Sequence, residues 1–211
     1  MAFFGQPENR RIRRYNAGQS SVKTVQFMDA IITSESEKSI VMIGLMGAGK
    51  SSVGWRLAEY LDLAFVDSDD EIVKAAGCAI SDIFEVYGEQ EFRKLEERVI
   101  ERLLNKPRCV IATGGGAYMH PKTRAQIDQA AITIWLRADL DTLVERTGRR
   151  AGRPLLERGN PRQILQTLID ERYPVYANAD IIVDSGGDSH DTMVQRIVSA
   201  LSSYYEAASV K

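Results

Sequence analysis

Residues 40–52 read IVMIGLMGAGKSS, an apolar run that gives way to glycines and ends on one lysine and two serines. The apolar part reads as a buried strand, SIVMIGL over 39–45. Residues 50–62 then carry Val53, Leu57, Ala58 and Leu61 at helical spacing. Gly44, Gly49, Lys50 and Ser51 therefore satisfy Gly-x-x-x-x-Gly-Lys-Ser/Thr between a strand and a helix, the context that marks a phosphate-binding loop. Such a loop presents backbone N–H groups at a helix N-terminus, where partial positive charge favours anions. Lys50 is placed to reach the β and γ phosphates of a nucleotide, and the Ser51 hydroxyl to take one Mg²⁺ position.

The rest of the chain repeats the alternation. Short apolar runs at 63–67 (LAFVD), 108–113 (RCVIAT), 131–136 (AITIWL) and 179–184 (ADIIVD) read as four more strands separated by helical patterns. Ser81 is expected to cap a long helical region over 81–105, interrupted at Gly88, with Phe92, Leu95, Val99 and Leu103 facing inward. Strands that lack polar alternation imply burial on both faces, and intervening helices imply a parallel sheet; the fold class is a three-layer α/β protein. Ligands in such sheets gather beyond the carboxyl ends of the strands.

With 211 residues the chain suits one catalytic domain, expected over 39–211. A net charge of -2 argues against a general nucleic-acid binder. No apolar stretch approaches the roughly 18 residues of a membrane span. Residues 1–38 are expected to form a disordered extension: RRIRRYNAGQSSVK would suit a transit peptide, but Glu8 and Asp29 do not. Cys78 and Cys109 read as reduced core thiols, and His120 and His190 as surface residues. A cytoplasmic monomer is expected.

Three further stretches and two isolated arginines bear on chemistry. In DSDDE, directly after the second strand, Asp70 and Glu71 read as acids decorating a helix N-terminus. Asp67 and Asp69 face the loop from an extended segment, on opposite sides, so one would orient Mg²⁺ and the other accept a hydroxyl proton. TGGGA after the third strand clears one wall of the cleft of side chains, or is an ordinary turn. The Arg-rich segment 146–158 is either a solvated loop or a lid closing over the triphosphate. Arg93 and Arg172, isolated from it, read by themselves as surface or salt-bridge residues.

With these pieces in order, GLMGAGKSSVGWRLA, FVDSD, IFEVYGEQEFRKLEE, TGGGA, RTGRRAGRPLL and ERYPVYANAD closely resemble shikimate kinase over about residues 39–205. The phosphate loop is shared with many NTPases; the other five in this order are specific. The resemblance implies a P-loop NTPase fold of the nucleoside monophosphate kinase type: a five-stranded parallel sheet flanked by helices, an acceptor-binding lobe at about 69–105 and a lid at about 146–160. It implies ATP binding by Gly47, Ala48, Gly49, Lys50, Ser51 and Ser52, with Arg146 flanking the adenine and Arg153 entering the site from the lid. Ser51 and Asp67 would serve Mg²⁺, and Asp69 would bind shikimate and take the proton of its 3-hydroxyl. Arg93 and Arg172 would clamp the substrate carboxylate, which overturns their bland reading, with Glu96 orienting them. Gly114, Gly115 and Gly116 would form the wall against the ring, Gly115 being the direct contact. DSGGDSH after the last strand departs from the basic or amide residue that related kinases often supply, so no ATP contact is carried to Asp188. The rivals are a kinase for another acceptor, such as gluconate or a nucleoside monophosphate, and a regulator that binds shikimate without turnover.

Overall fold

The strand expected ahead of the glycine loop forms as β1 (Ser39–Ile43), with all five residues buried. The other apolar runs form β2 (Ala64–Asp67), β3 (Cys109–Ala112), β4 (Ala131–Arg137) and β5 (Ile181–Asp184). All pair in parallel in the order β2-β3-β1-β4-β5. Ile40 lies beside Val110 on one side and Ile132 on the other, which puts β1 and its loop at the centre. The computed structural model describes residues 38–149, 156 and 159–209.

Seven helices flank the sheet among the described residues: α1 (Lys50–Tyr60), α2 (Ser68–Ala76), α3 (Ile80–Leu104), α4 (Pro121–Ala130), α5 (Leu140–Gly148), α6 (Pro161–Tyr176) and α7 (His190–Ser209). Val53, Leu57 and Ala58 of α1 are buried, as their spacing predicts, and α1 packs against α7 and the sheet. Helix α4 packs on β4 and against α3. Among the described residues no helix is long and apolar enough to cross a membrane.

Three local expectations change. Burial on both faces holds for β1 and β3 but not at the sheet edges: β2 is half-buried, and β5 alternates buried and exposed residues. An edge strand has a neighbour on one side only, so its outer surface stays wet whatever its composition. Ser81 does not cap α3; Ala79 holds the N-cap position, and the Ser81 hydroxyl bonds Asp82 at 3.2 Å instead. Asp67 and Asp69 do not share an extended segment, where residues two apart would face the same side. The chain turns into α2 at Ser68 and Asp67 caps it, accepting from the Asp69 backbone N–H at 3.0 Å. Helical turning, not strand alternation, gives the two carboxylates separate positions.

The break at Gly88 is present: φ 79° and ψ 172° interrupt α3, separating its first turns from the buried stripe of Phe92, Val99 and Leu103. Leu95 of that stripe is only partly buried. Cys109 is buried and Cys78 half-buried, both as free thiols. The expected extension lies almost wholly outside the described residues, as does the part of the expected lid that holds Arg153.

Candidate active site

A cleft of about 1720 Å³ opens beyond the carboxyl ends of the strands, lined by residues 46–53, Asp67, Asp69, Arg93, residues 113–115, Arg146, Arg172 and the segment after β5. Its nucleotide side is mainly backbone. The loop closes on itself through the Ala48 N–H donating to the Leu45 carbonyl at 3.1 Å, and α1 starts immediately after Gly49. Lys50, 8% exposed, folds back so that Nζ donates to the carbonyls of Gly44 at 2.8 Å and Leu45 at 3.0 Å. The ammonium thus rests on the rim of the cradle whose N–H groups would hold phosphate.

Ser51 Oγ donates to Asp67 Oδ2 at 2.6 Å, while Asp67 Oδ1 receives the backbone N–H that starts α2. A hydroxyl beside a carboxylate at the foot of a phosphate loop is a hard-oxygen donor pair. It fits Mg²⁺, which takes one or two carboxylates and completes its shell with waters and phosphate oxygens. Among the described residues no cluster of three or more His, Cys, Asp or Glu side chains is placed to hold a metal ion.

Arg146 runs from α5 across the cleft. Its guanidinium approaches the carbonyls of Gly47 and Ala48 at 3.4 Å, donates to Ser185 Oγ at 2.9 Å and bonds the Gly186 carbonyl. Ser185 in turn donates to the Ala48 carbonyl at 2.9 Å, so the segment after β5 is tied to the loop. Sequence reasoning missed Ser185, whose hydroxyl bonds Arg146 and a backbone carbonyl 137 residues away in the chain. His190, expected as a surface residue, is exposed but lines this end of the cleft; burial of its ring, then Arg56 and Arg146, push its pKa below the usual range.

The acceptor side is built from side chains. Burial, reinforced by Asp67 and opposed by Lys50, raises the Asp69 pKa. Ser68 Oγ, fully buried, accepts from the Gly114 N–H at 3.2 Å and so fixes the start of α2 against the glycine run. From α3, Arg93 lines the cleft and pairs with Glu96 at 2.6 Å and Glu89 at 3.2 Å. The Glu96 side chain is only 1% exposed, and burial lifts its pKa against the pull of Arg93. Arg172, from α6, donates to the Gly115 carbonyl at 2.8 Å. The same carbonyl accepts from Tyr176, a buried residue missed in the sequence, although a polar aromatic four residues after Arg172 on one helix face was a signal for it.

The fold therefore brings residues 47–52, Asp67, Asp69, Arg93, Gly114, Gly115, Arg146 and Arg172 to one cleft. Glu96 and Gly116 stand behind its surface: a Cβ at Gly116 would lie 2.5 Å from Arg93 Nη2. Arg153 lies outside the described residues.

A family model for shikimate kinase matches residues 46–202, from the phosphate loop into the last helix. The chain belongs to the shikimate kinase family. The shikimate kinase of Paramagnetospirillum magneticum is 51% identical over 169 residues, covering 80% of this chain and 87% of that protein. That of Brucella canis is 47% identical over 169 residues, covering 80% and 84%. Among solved structures, the shikimate kinase of Acinetobacter baumannii in complex with shikimate superposes with a TM-score of 0.77 at 36% identity, covering 80% of this chain and 95% of that one. As a member of this family the chain is a P-loop kinase of the nucleoside monophosphate kinase fold that transfers phosphate from ATP.

Proposed function

We propose that this protein transfers the γ-phosphoryl group of ATP to the 3-hydroxyl of shikimate, giving shikimate 3-phosphate and ADP. The observation that carries the reading is the meeting of Asp69, Arg93 and Arg172 at one glycine-lined wall that faces the phosphate loop. A small polyhydroxylated monocarboxylate needs guanidinium forks for its carboxylate and a carboxylate for its hydroxyls.

In this reading Arg93 and Arg172 bind the acceptor carboxylate, Glu96 holds Arg93 in place, and the backbone of Gly114, Gly115 and Gly116 supports the ring. Asp69 accepts the proton of the 3-hydroxyl as its oxygen bonds to the γ phosphorus and the bond to the β-phosphate oxygen breaks, leaving ADP. A pKa lifted by burial suits that task, since a base closer to the working pH is stronger. Lys50 exchanges its two loop carbonyls for phosphate oxygens, and Ala48, Gly49 and Ser52 support the triphosphate. Mg²⁺ held by Ser51 and Asp67 would neutralise phosphate charge. Arg146 borders the adenine side, and Arg153 belongs to a lid at about 146–160 that excludes water. Helices α2 and α3, spanning most of 69–105, serve as the acceptor-binding lobe. The enzyme works as a cytoplasmic monomer, with no nucleic-acid or membrane partner.

A coupled ADP-release assay with ATP, Mg²⁺ and shikimate tests this, run beside gluconate, quinate and nucleoside monophosphates. Turnover confined to shikimate, or strongly favouring it, is expected. Equal turnover with gluconate would overturn the acceptor assignment, and shikimate binding without turnover would favour a regulator.

A further inference from the structure

One buried hydroxyl at the acceptor wall has no part in the reading so far. Tyr176, the last residue of α6, is 0% exposed, its ring edge-on to Trp135 at 5.8 Å between centroids and 6.4 Å from Tyr118. A phenylalanine would fill that space equally well, so the polar atom is what needs a reason. It donates to the Gly115 carbonyl, the atom that also accepts from Arg172 Nη1 at 2.8 Å. Tyr176 and Arg172 are four residues apart on one helix face, and phenol and guanidinium converge on that one carbonyl. Burial raises the phenol pKa, with Arg172 acting in the opposite direction, so the hydroxyl stays a donor across the working range.

We infer that Tyr176 is a positioning residue for the acceptor carboxylate: it holds Arg172 and the Gly115 wall as one unit, orienting the guanidinium before shikimate arrives. Arginine has five donors, and one spent on Gly115 leaves the others for a carboxylate. A long side chain already held in place loses less freedom on binding, so the gain falls on acceptor affinity and not on the nucleotide. The inference rests on the reading of Arg172 as a carboxylate ligand.

The test is Tyr176→Phe in the full chain, alone and combined with Arg172→Ala, with Michaelis constants for both substrates. The shikimate KM is expected to rise about tenfold in the single variant, with the ATP KM within about twofold; in the Arg172→Ala background the added change should stay under about twofold. An unchanged shikimate KM in Tyr176→Phe, beside a clear loss in Arg172→Ala, overturns this inference alone. A rise in both Michaelis constants with a melting temperature lowered by more than about 8 °C marks the hydroxyl as core support and also overturns it. Arg172→Ala with a normal shikimate KM overturns the carboxylate reading and the inference together.

Discussion

The glycines after β1 and those after β3 border the same cleft from neighbouring strands, yet they lack side chains for different reasons. Gly44, Gly47 and Gly49 have φ of 140°, 86° and 98°, values that L side chains rarely adopt, whereas none of Gly114, Gly115 and Gly116 has a positive φ. The nucleotide loop needs glycine for its backbone path; the acceptor wall needs it for space. A Cβ on Gly44 would lie 2.7 Å from the Leu136 carbonyl, a backbone atom that cannot move aside, while a Cβ on Gly114 would lie 2.7 Å from Asp69 Oδ1. One side of the site is thus a rigid cradle of main chain, and the other is a set of charged side chains fitted against bare backbone.

The largest effect should come from the acceptor side. Asp69→Asn is expected to retain shikimate binding while kcat falls by roughly 10² to 10⁴, the usual worth of a general base. Steady-state kinetics decide it, and a kcat within threefold of the wild type would remove Asp69 from that role. Next, Gly114→Ala should displace the Asp69 carboxylate and lower kcat about 100-fold, as a misplacement of about 1 Å can, with the melting temperature within a few degrees of the wild type. Gly44→Ala should do the reverse in stability, losing on the order of 1–3 kcal/mol to backbone strain before its clash is counted. Equal melting curves for these two variants would break the distinction between the loops.

Much of this was legible in the sequence because it is local. The five strands, the loop pattern and the Gly88 break depend on neighbours a few residues away, and each formed where the periodicity put it. Strand order is not local: nothing in LAFVD or ADIIVD says that these are the sheet edges, and their partial exposure follows from that order. The separation of Asp67 from Asp69 depended on where a helix starts, a matter of one residue. Ser68, Ser185 and Tyr176 escaped notice because each bonds a backbone group of a distant segment, and backbone partners leave no mark on composition. Arg93 shows both readings at once, since it is a salt-bridge residue that also lines the cleft.

Within the acceptor side the two arginines should separate. Removing either is expected to raise the shikimate KM about 10- to 100-fold, the range for losing a charge-assisted hydrogen bond in a site. Their stabilities should differ. Arg172→Ala strands a carbonyl that keeps Tyr176 as donor, and the melting temperature should change little. Arg93→Ala leaves the Glu96 carboxyl, 1% exposed, without its cation. Its folded pKa is already above the unfolded value and would rise further, so stability from that group is complete below the unfolded pKa and is lost as pH rises through the folded one. The melting deficit of Arg93→Ala should therefore widen as pH rises above the ordinary glutamate range; a constant deficit would mean that Glu96 does not depend on Arg93.

The smallest effect carries the same logic to the base itself. Asp69 also has a folded pKa above its unfolded value, through burial first and Asp67 second. The folded state holds that proton more tightly than the unfolded chain does, so ionising Asp69 costs stability once pH passes its folded pKa. Replacing it with asparagine removes the cost. Asp69→Asn should melt above the wild type at neutral pH, and the gain should vanish below about pH 4. The acid limb of kcat/KM for shikimate should likewise lie above the ordinary aspartate range. A variant that melts below the wild type at pH 8 would show that Lys50 and Arg93 outweigh the burial of this carboxylate, which would then hold the acceptor side together instead of straining it for catalysis.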